Sequence, residues 1–252
     1  MSRRVSANEQ TRSNFMNIGK GSNVLVVGGS SGIGLATAAL AAKSGATVTI
    51  ASRSKERLSA AAKTLPAGVA TEVLDATDIS SVEKFFGGGT VWDHVVVAGS
   101  ATKVGPARTF EMQDAHEAMS SKFWGAYHVG RSARIRDGGS LTFVSGVYSI
   151  RPNKQAVLQG AINAALEALA RGLALELAPV RVNTVSPSLT ATPLWDRLGA
   201  PARDKMFKDK AAQLPAGRIG QSDDIASAIL FLAGNPFATG ATLLVDGGDA
   251  LV

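Results

Sequence analysis

An α/β domain built on a doubly wound parallel sheet is what this sequence predicts, and three observations carry that expectation. From residue 23 onward, short apolar runs alternate with alanine-rich helical stretches. The apolar runs are continuous, as in strands buried on both faces, and do not alternate with polar residues. The first of them ends in a glycine-rich turn, VGGSSGIG at 27–34, that opens directly into a helix. Strand, crossover helix and parallel strand in succession imply right-handed connections with helices on both faces of the sheet.

Taken in order, residues 24–27 form the first strand and 33–43 its crossover helix. Residues 46–51 make the second strand, followed by a helix over 55–63. A strand at 69–74, a short helix around 80–86 and the strand within 92–98 come next. A long helical stretch covers 110–134, strand resumes at 140–145, and the alanine- and leucine-rich 157–177 is helix. Strand 180–185, helix 222–232 and strand 242–245 complete the pattern. With no Pro/Gly-rich linker and no further repeat, residues 21–252 read as a single domain. The polar residues 1–20 read as a flexible tail, lacking the apolar stretch of a secretory signal.

Composition narrows the function. The chain is 45% hydrophobic with 27 glycines, a globular balance. It has no cysteine, which excludes disulfides, thiolate metal sites and a cysteine nucleophile and fits a reducing cytoplasm. The net charge of +6 is carried by scattered basic residues, and only 6% of residues are aromatic, so a nucleic-acid partner is not expected. No apolar run reaches the ~18–20 residues of a membrane span. His94, His116 and His128 have no metal-ligand spacing, and no metal is expected.

The glycine turn carries the chemistry. Gly28, Gly32 and Gly34 permit a tight turn and close backbone approach, and Ser30, Ser31 and Ile33 stand at a helix start whose amides attract phosphate. Strand, turn and helix together read as a dinucleotide site. The second strand ends Ser52-Arg53-Ser54, with Lys55 following, where a carboxylate would favour a free ribose hydroxyl. A guanidinium flanked by hydroxyls suits the 2′-phosphate of NADP.

From about residue 23 to 252 the sequence resembles the short-chain dehydrogenase/reductase family, a Rossmann-fold family. VGGSSGIG (27–34) matches its TGxxxGxG turn, and VLDATD (73–78) its adenine-contacting segment, at Asp75 and Ala76. VVAG (96–99) stands where the family has NNAG, with Ala98 and Gly99 at the cofactor. RVNTVSPSLTATP (181–193) is similar to the loop that holds the nicotinamide carboxamide, which the resemblance assigns to Pro187, Leu189 and Thr192. GRIGQSDDIASAILFLAG and TGATLLVDGG, within 217–248, match the C-terminal helix and strand.

The family's Asn, Ser, Tyr and Lys constellation is not there. The segment 163–183 fixes the register, placing Asn163 at the lysine and Gln159 at the tyrosine position. Gly146 stands in the serine place with Ser145 before it, and Lys122 in the asparagine place. A glutamine amide cannot supply a proton at neutral pH, whereas reduction of a carbonyl needs a general acid. Lysine and asparagine have traded places, so Lys122, Ser145, Tyr148 and Asn163 are the candidate catalytic set. Tyr148 is the substitute acid, Ser145 the holder of the substrate oxygen, and Lys122 a group approaching the nicotinamide ribose. Gln159 and Trp195 are expected to line the substrate pocket beneath a lid near 194–215, whose apolar residues point to a partly apolar small molecule.

The reading that follows is an NADP(H)-dependent oxidoreductase acting on a carbonyl, imine or activated alkene with an atypical site. The alternatives are a non-redox isomerase or cyclase that retains NADP, and a catalytically silent NADP-binding sensor. A homodimer or homotetramer is implied by the resemblance.

Overall fold

The computed structural model describes residues 18–99 and 103–252. Nearly all of the tail expected over 1–20 lies outside them. Seven parallel strands form one sheet: β1 (Asn23–Val27), β2 (Thr47–Ser52), β3 (Ala70–Val73), β4 (Trp92–Val97), β5 (Ile135–Val144), β6 (Arg181–Pro187) and β9 (Thr242–Val245). Their order is β3-β2-β1-β4-β5-β6-β9. The chain winds outward from β1 to β3, then returns to place β4 on the other side of β1. The connections therefore diverge at the carboxyl ends of β1 and β4, and a doubly wound sheet binds ligands in the crevice this opens.

The apolar runs are buried on both faces. Leu25, Val27, Val95 and Val97 join one core with Phe143 and Leu166, while Val24, Val26 and Val96 join the other with Ile225 and Ile229. Strand β3 is the exception. All four of its residues are exposed at the sheet edge, where a polar threonine and glutamate blunt further pairing.

The crossover helices are α1 (Gly32–Lys43), α2 (Lys55–Ala62), α3 (Ile79–Gly87), α4 (Met112–Met119), α5 (Gly125–Ser132), α6 (Val157–Glu176) and α8 (Ser222–Gly234). Three differences from the sequence reading bear on the site. The long helix expected over 110–134 is divided by a wide five-residue turn, Ser120–Trp124, that carries Lys122. Such π-type turns inside α-helices concentrate at functional sites. Strand β5 begins five residues earlier than expected, because the exposed Arg136, Asp137 and Gly138 after Ile135 break the apolar run. Beyond β6, a short pair of strands, β7 (Thr190–Ala191) and β8 (Gly220–Gln221), braces the segment holding helix α7 (Ala200–Gln213). Among the described residues no helix is long and apolar enough to cross a membrane.

His94 is part of the scaffold. Its Nδ1 lies 2.9 Å from Ser140 Oγ across β4 and β5, and burial pushes its pKa down to about 4.

Candidate active site

One wall of the crevice is made of backbone. Gly28 has φ 84°, in the left-handed region, and a Cβ there would collide with the backbone of Gly99 at the end of β4. A Cβ on Gly34 would collide with the Gly28 carbonyl. Only glycine allows the turn after β1, the end of β4 and the start of α1 to close on one another. Gly32 faces Thr192, whose Cγ2 would lie 3.2 Å from an added Cβ, so the loop after β6 is seated against the glycine turn. Ser31 caps α1 with extended backbone and no side-chain bond to the helix, and the first turn carries no acidic residue. The free amides of that turn are left facing the crevice, as an anion site requires.

The end of β2 is more elaborate than its sequence. Arg53 is exposed. Ser54 caps α2, accepting from the Arg57 amide at 3.1 Å and donating to Glu56 Oε2 at 2.8 Å. Arg57, which the sequence reading passed over, sends Nη2 across to Ser31 Oγ at 2.9 Å. Its position one turn into α2 points it back over the helix start, a signal available in the spacing. Ser52 Oγ is buried without a partner among the described residues. Asp75 Oδ1 accepts from the amide and hydroxyl of Thr77, at 2.9 and 2.7 Å. This set fits a phosphorylated dinucleotide: glycine space, open helix amides, two guanidinium groups and an unpartnered hydroxyl.

The facing wall is made of side chains. Three residues of α6 four apart, Gln159, Asn163 and Glu167, share one face of that helix and point at the loop leaving β5. Asn163 Nδ2 donates to the Gly146 carbonyl at 3.0 Å, and Gln159 Nε2 donates to Asn163 Oδ1 at 3.2 Å. Lys122 Nζ donates to the neighbouring carbonyl, that of Ser145, at 2.7 Å. The lysine and the asparagine thus hold consecutive carbonyls from two different helical segments. Lys122 is buried, not a solvated helix lysine, and burial pushes its pKa down to about 8 against the opposing pull of Glu167.

Glu167 is the functional-site residue that sequence reasoning missed. It is buried, and its Oε1 accepts from Ser145 Oγ at 2.8 Å and from Ser149 Oγ at 2.7 Å. The signal was a lone carboxylate inside an apolar helix, one turn after Asn163. The hydroxyl of Ser145, expected to hold a substrate oxygen, donates to Glu167 in this structure. A Cβ on Gly146 would lie 2.8 Å from Asn163 Nδ2, so a larger residue there must displace that amide.

Tyr148 is half-buried in the single turn Val147–Ser149, which packs its backbone against Gly160 of α6. No hydrogen-bond partner meets its hydroxyl among the described residues. Trp195 is half-buried and its Nε1 donates to the Thr190 carbonyl at 2.9 Å, anchoring the segment 193–198 to β7. Asp249 gathers the surrounding loops. It receives Lys210 of α7 at 2.6 Å, Arg151 at 3.2 Å and the hydroxyl of Ser188. Burial would raise its carboxyl, but the bonds from Lys210 and Ser188 and the charges of Lys210 and Arg151 outweigh it and hold the pKa below the usual range.

Residues 27–249, spanning the glycine turn to this C-terminal carboxylate, match a family model described as enoyl-(acyl carrier protein) reductase. A short-chain dehydrogenase/reductase of Stachybotrys chlorohalonatus, ATR9, is 34% identical over 92% of this chain and 98% of its own. The chain belongs to the short-chain dehydrogenase/reductase family. A solved small-chain dehydrogenase in complex with NADPH is 34% identical with a TM-score of 0.75, over 92% of this chain and 99% of its own. The reductase/Diels–Alderase MalC of Malbranchea aurantiaca is 25% identical with a TM-score of 0.86, over 96% and 100%. Family membership makes the crevice above the expected place for a nicotinamide cofactor.

Proposed function

We propose that this protein is an NADP(H)-dependent oxidoreductase that works on a carbonyl, imine or activated alkene of a small, partly apolar substrate with an atypical active site. The observation that carries this reading is the joined cradle of glycine turn, Thr192 loop and Arg57–Ser31 contact. The NADPH complex of the similar dehydrogenase supports the choice of cofactor.

Each group then has a task. The α1 amides with Ser30, Ser31 and Ile33 bind the pyrophosphate, and Ser52, Arg53, Ser54 and Arg57 surround the 2′-phosphate. Asp75 and Ala76 meet the adenine, Ala98 and Gly99 the ribose and ring, and Pro187, Leu189 and Thr192 the carboxamide. The cofactor, when bound, supplies a hydride at the nicotinamide C4. Lys122 and Asn163 fix the end of β5 through the Ser145 and Gly146 carbonyls, which sets where the Tyr148 loop stands. For a carbonyl substrate Tyr148 is the available phenol, since Gln159 has no acidic proton to give. The exposed pair Trp124 and Tyr127, with ring centroids 5.7 Å apart, supports a homodimer or homotetramer joined through the start of α5.

The test is NADPH consumption, followed by its absorbance, over a panel of ketones, quinones, enones and cyclic imines. Turnover of one class is expected, and Tyr148→Phe slows ketone reduction at least about tenfold. Equal ketone turnover in that variant removes Tyr148 from the reaction. The similarity to the Malbranchea aurantiaca reductase/Diels–Alderase favours one second reading, a bond-forming reaction with NADPH bound but not consumed. Product formation at constant NADPH would select it.

A further inference from the structure

We infer that Gln159 is a hydrogen-bond acceptor for the ligand, so that the pocket takes a substrate bearing an N–H donor, a protonated imine, at the place where a ketone would offer only an acceptor. This deepens the oxidoreductase reading above and rests on it. The direction of the amide chain is fixed from one end. The Gly146 carbonyl can only accept, so Asn163 must turn Nδ2 toward it, at 3.0 Å. Asn163 Oδ1 then faces Gln159, and only Nε2 of Gln159 can satisfy it, at 3.2 Å. Rotating either amide would set two acceptors or two donors face to face. Gln159 Oε1 is what remains. It is buried and meets no donor among the described residues. An unpaired buried carbonyl is destabilising, and its persistence one turn before Asn163, on the helix face that meets the β5 loop, calls for a donor from outside the chain.

The chemistry agrees with the geometry. As the imine carbon takes a hydride from the nicotinamide donor, which is oxidised, the C=N π pair becomes a lone pair on nitrogen. The N–H hydrogen stays where it is, bonded to Gln159 Oε1. The product is a neutral amine and no proton has to be delivered during the step, so a glutamine suffices where a carbonyl would demand an acid. An alcohol could satisfy the same acceptor, but its oxidation needs a base, and an amide is not one.

The full chain, loaded with NADP+, is titrated calorimetrically at neutral pH with two ligands of one shape. 1,2,3,4-Tetrahydroisoquinoline carries a protonated N–H donor, and isochroman replaces it with an ether oxygen that only accepts. The amine is expected to bind at least about tenfold tighter, as a charge-assisted hydrogen bond allows. Gln159→Leu should erase that preference and Gln159→Glu enlarge it. Equal binding, tighter isochroman, no binding of either, or a preference that survives in Gln159→Leu each overturns the proposal. If that variant does not fold, the wild-type pair alone decides. NADPH fluorescence, titrated separately on the same cofactor-free protein, separates the two readings. Amine preference without NADPH binding keeps the acceptor and sinks the oxidoreductase reading, whereas NADPH binding without amine preference does the reverse.

Discussion

At the carboxyl ends of β1 and β4 the crevice is shaped by missing side chains, with Gly28, Gly34 and Gly99 so close that a Cβ would strike backbone. At the end of β5 it is shaped by side chains that answer one another: Lys122 and Asn163 on adjacent carbonyls, Glu167 on two serines, Gln159 on Asn163. The two walls differ in how they can change. A backbone cradle tolerates almost no substitution, because each glycine depends on the neighbouring chain. A hydrogen-bonded wall can be exchanged as a set, provided that every partner changes with it. Gly146 illustrates the second rule, since a Cβ there would crowd the asparagine amide at 163 in its present position.

The largest expected effect attacks the backbone wall. Gly28→Ala combines a left-handed φ with a collision at Gly99, and should cost at least about 3 kcal/mol and abolish NADPH binding, read by thermal melting and cofactor fluorescence. A mild effect there would break the contrast between the walls.

The next probes the buried lysine of the other wall. The folded chain holds the Lys122 proton less tightly, with a pKa of about 8 against an ordinary 10.5. Between those values the unfolded chain binds more protons, so stability from this group rises with pH across that window. The rise amounts to about 3 kcal/mol relative to Lys122→Met, measured by denaturant unfolding from pH 7 to above pH 10. Parallel curves for the two proteins would show that Lys122 is not buried as described.

A smaller effect tests the concerted exchange. Gly146→Ser should destabilise by about 1–3 kcal/mol through crowding of Asn163. Adding Asn163→Ala should recover much of it, a non-additivity expected only of residues in contact. Smallest is Arg57→Ala, which should weaken NADPH binding roughly tenfold and leave NADH unaffected, because only the former carries the 2′-phosphate.

Much of this was legible in the sequence. Apolar runs and glycine turns report backbone geometry directly, so the strands, the crossover helices and the tight glycine turn could be read from residues 24–34 and their successors. The side-chain wall was harder for a physical reason. The choice of Lys122, Ser145 and Asn163 followed from register alone, but their bonds depend on partners 17 to 23 residues away. Glu167 and Arg57 escaped notice because a helix carboxylate and an exposed arginine look ordinary until the fold brings Ser145 and Ser31 to them. The inward turn of Ser145 likewise could not be foreseen without its acceptor.

The most direct test of the central claim, a retained NADP cradle beside an exchanged catalytic wall, is a paired titration of the full chain with NADPH and NADH. The account predicts NADPH binding at least about tenfold tighter, with the difference lost when Arg53 and Arg57 are both replaced by alanine. Equal affinities, tighter NADH, or no binding of either would contradict it.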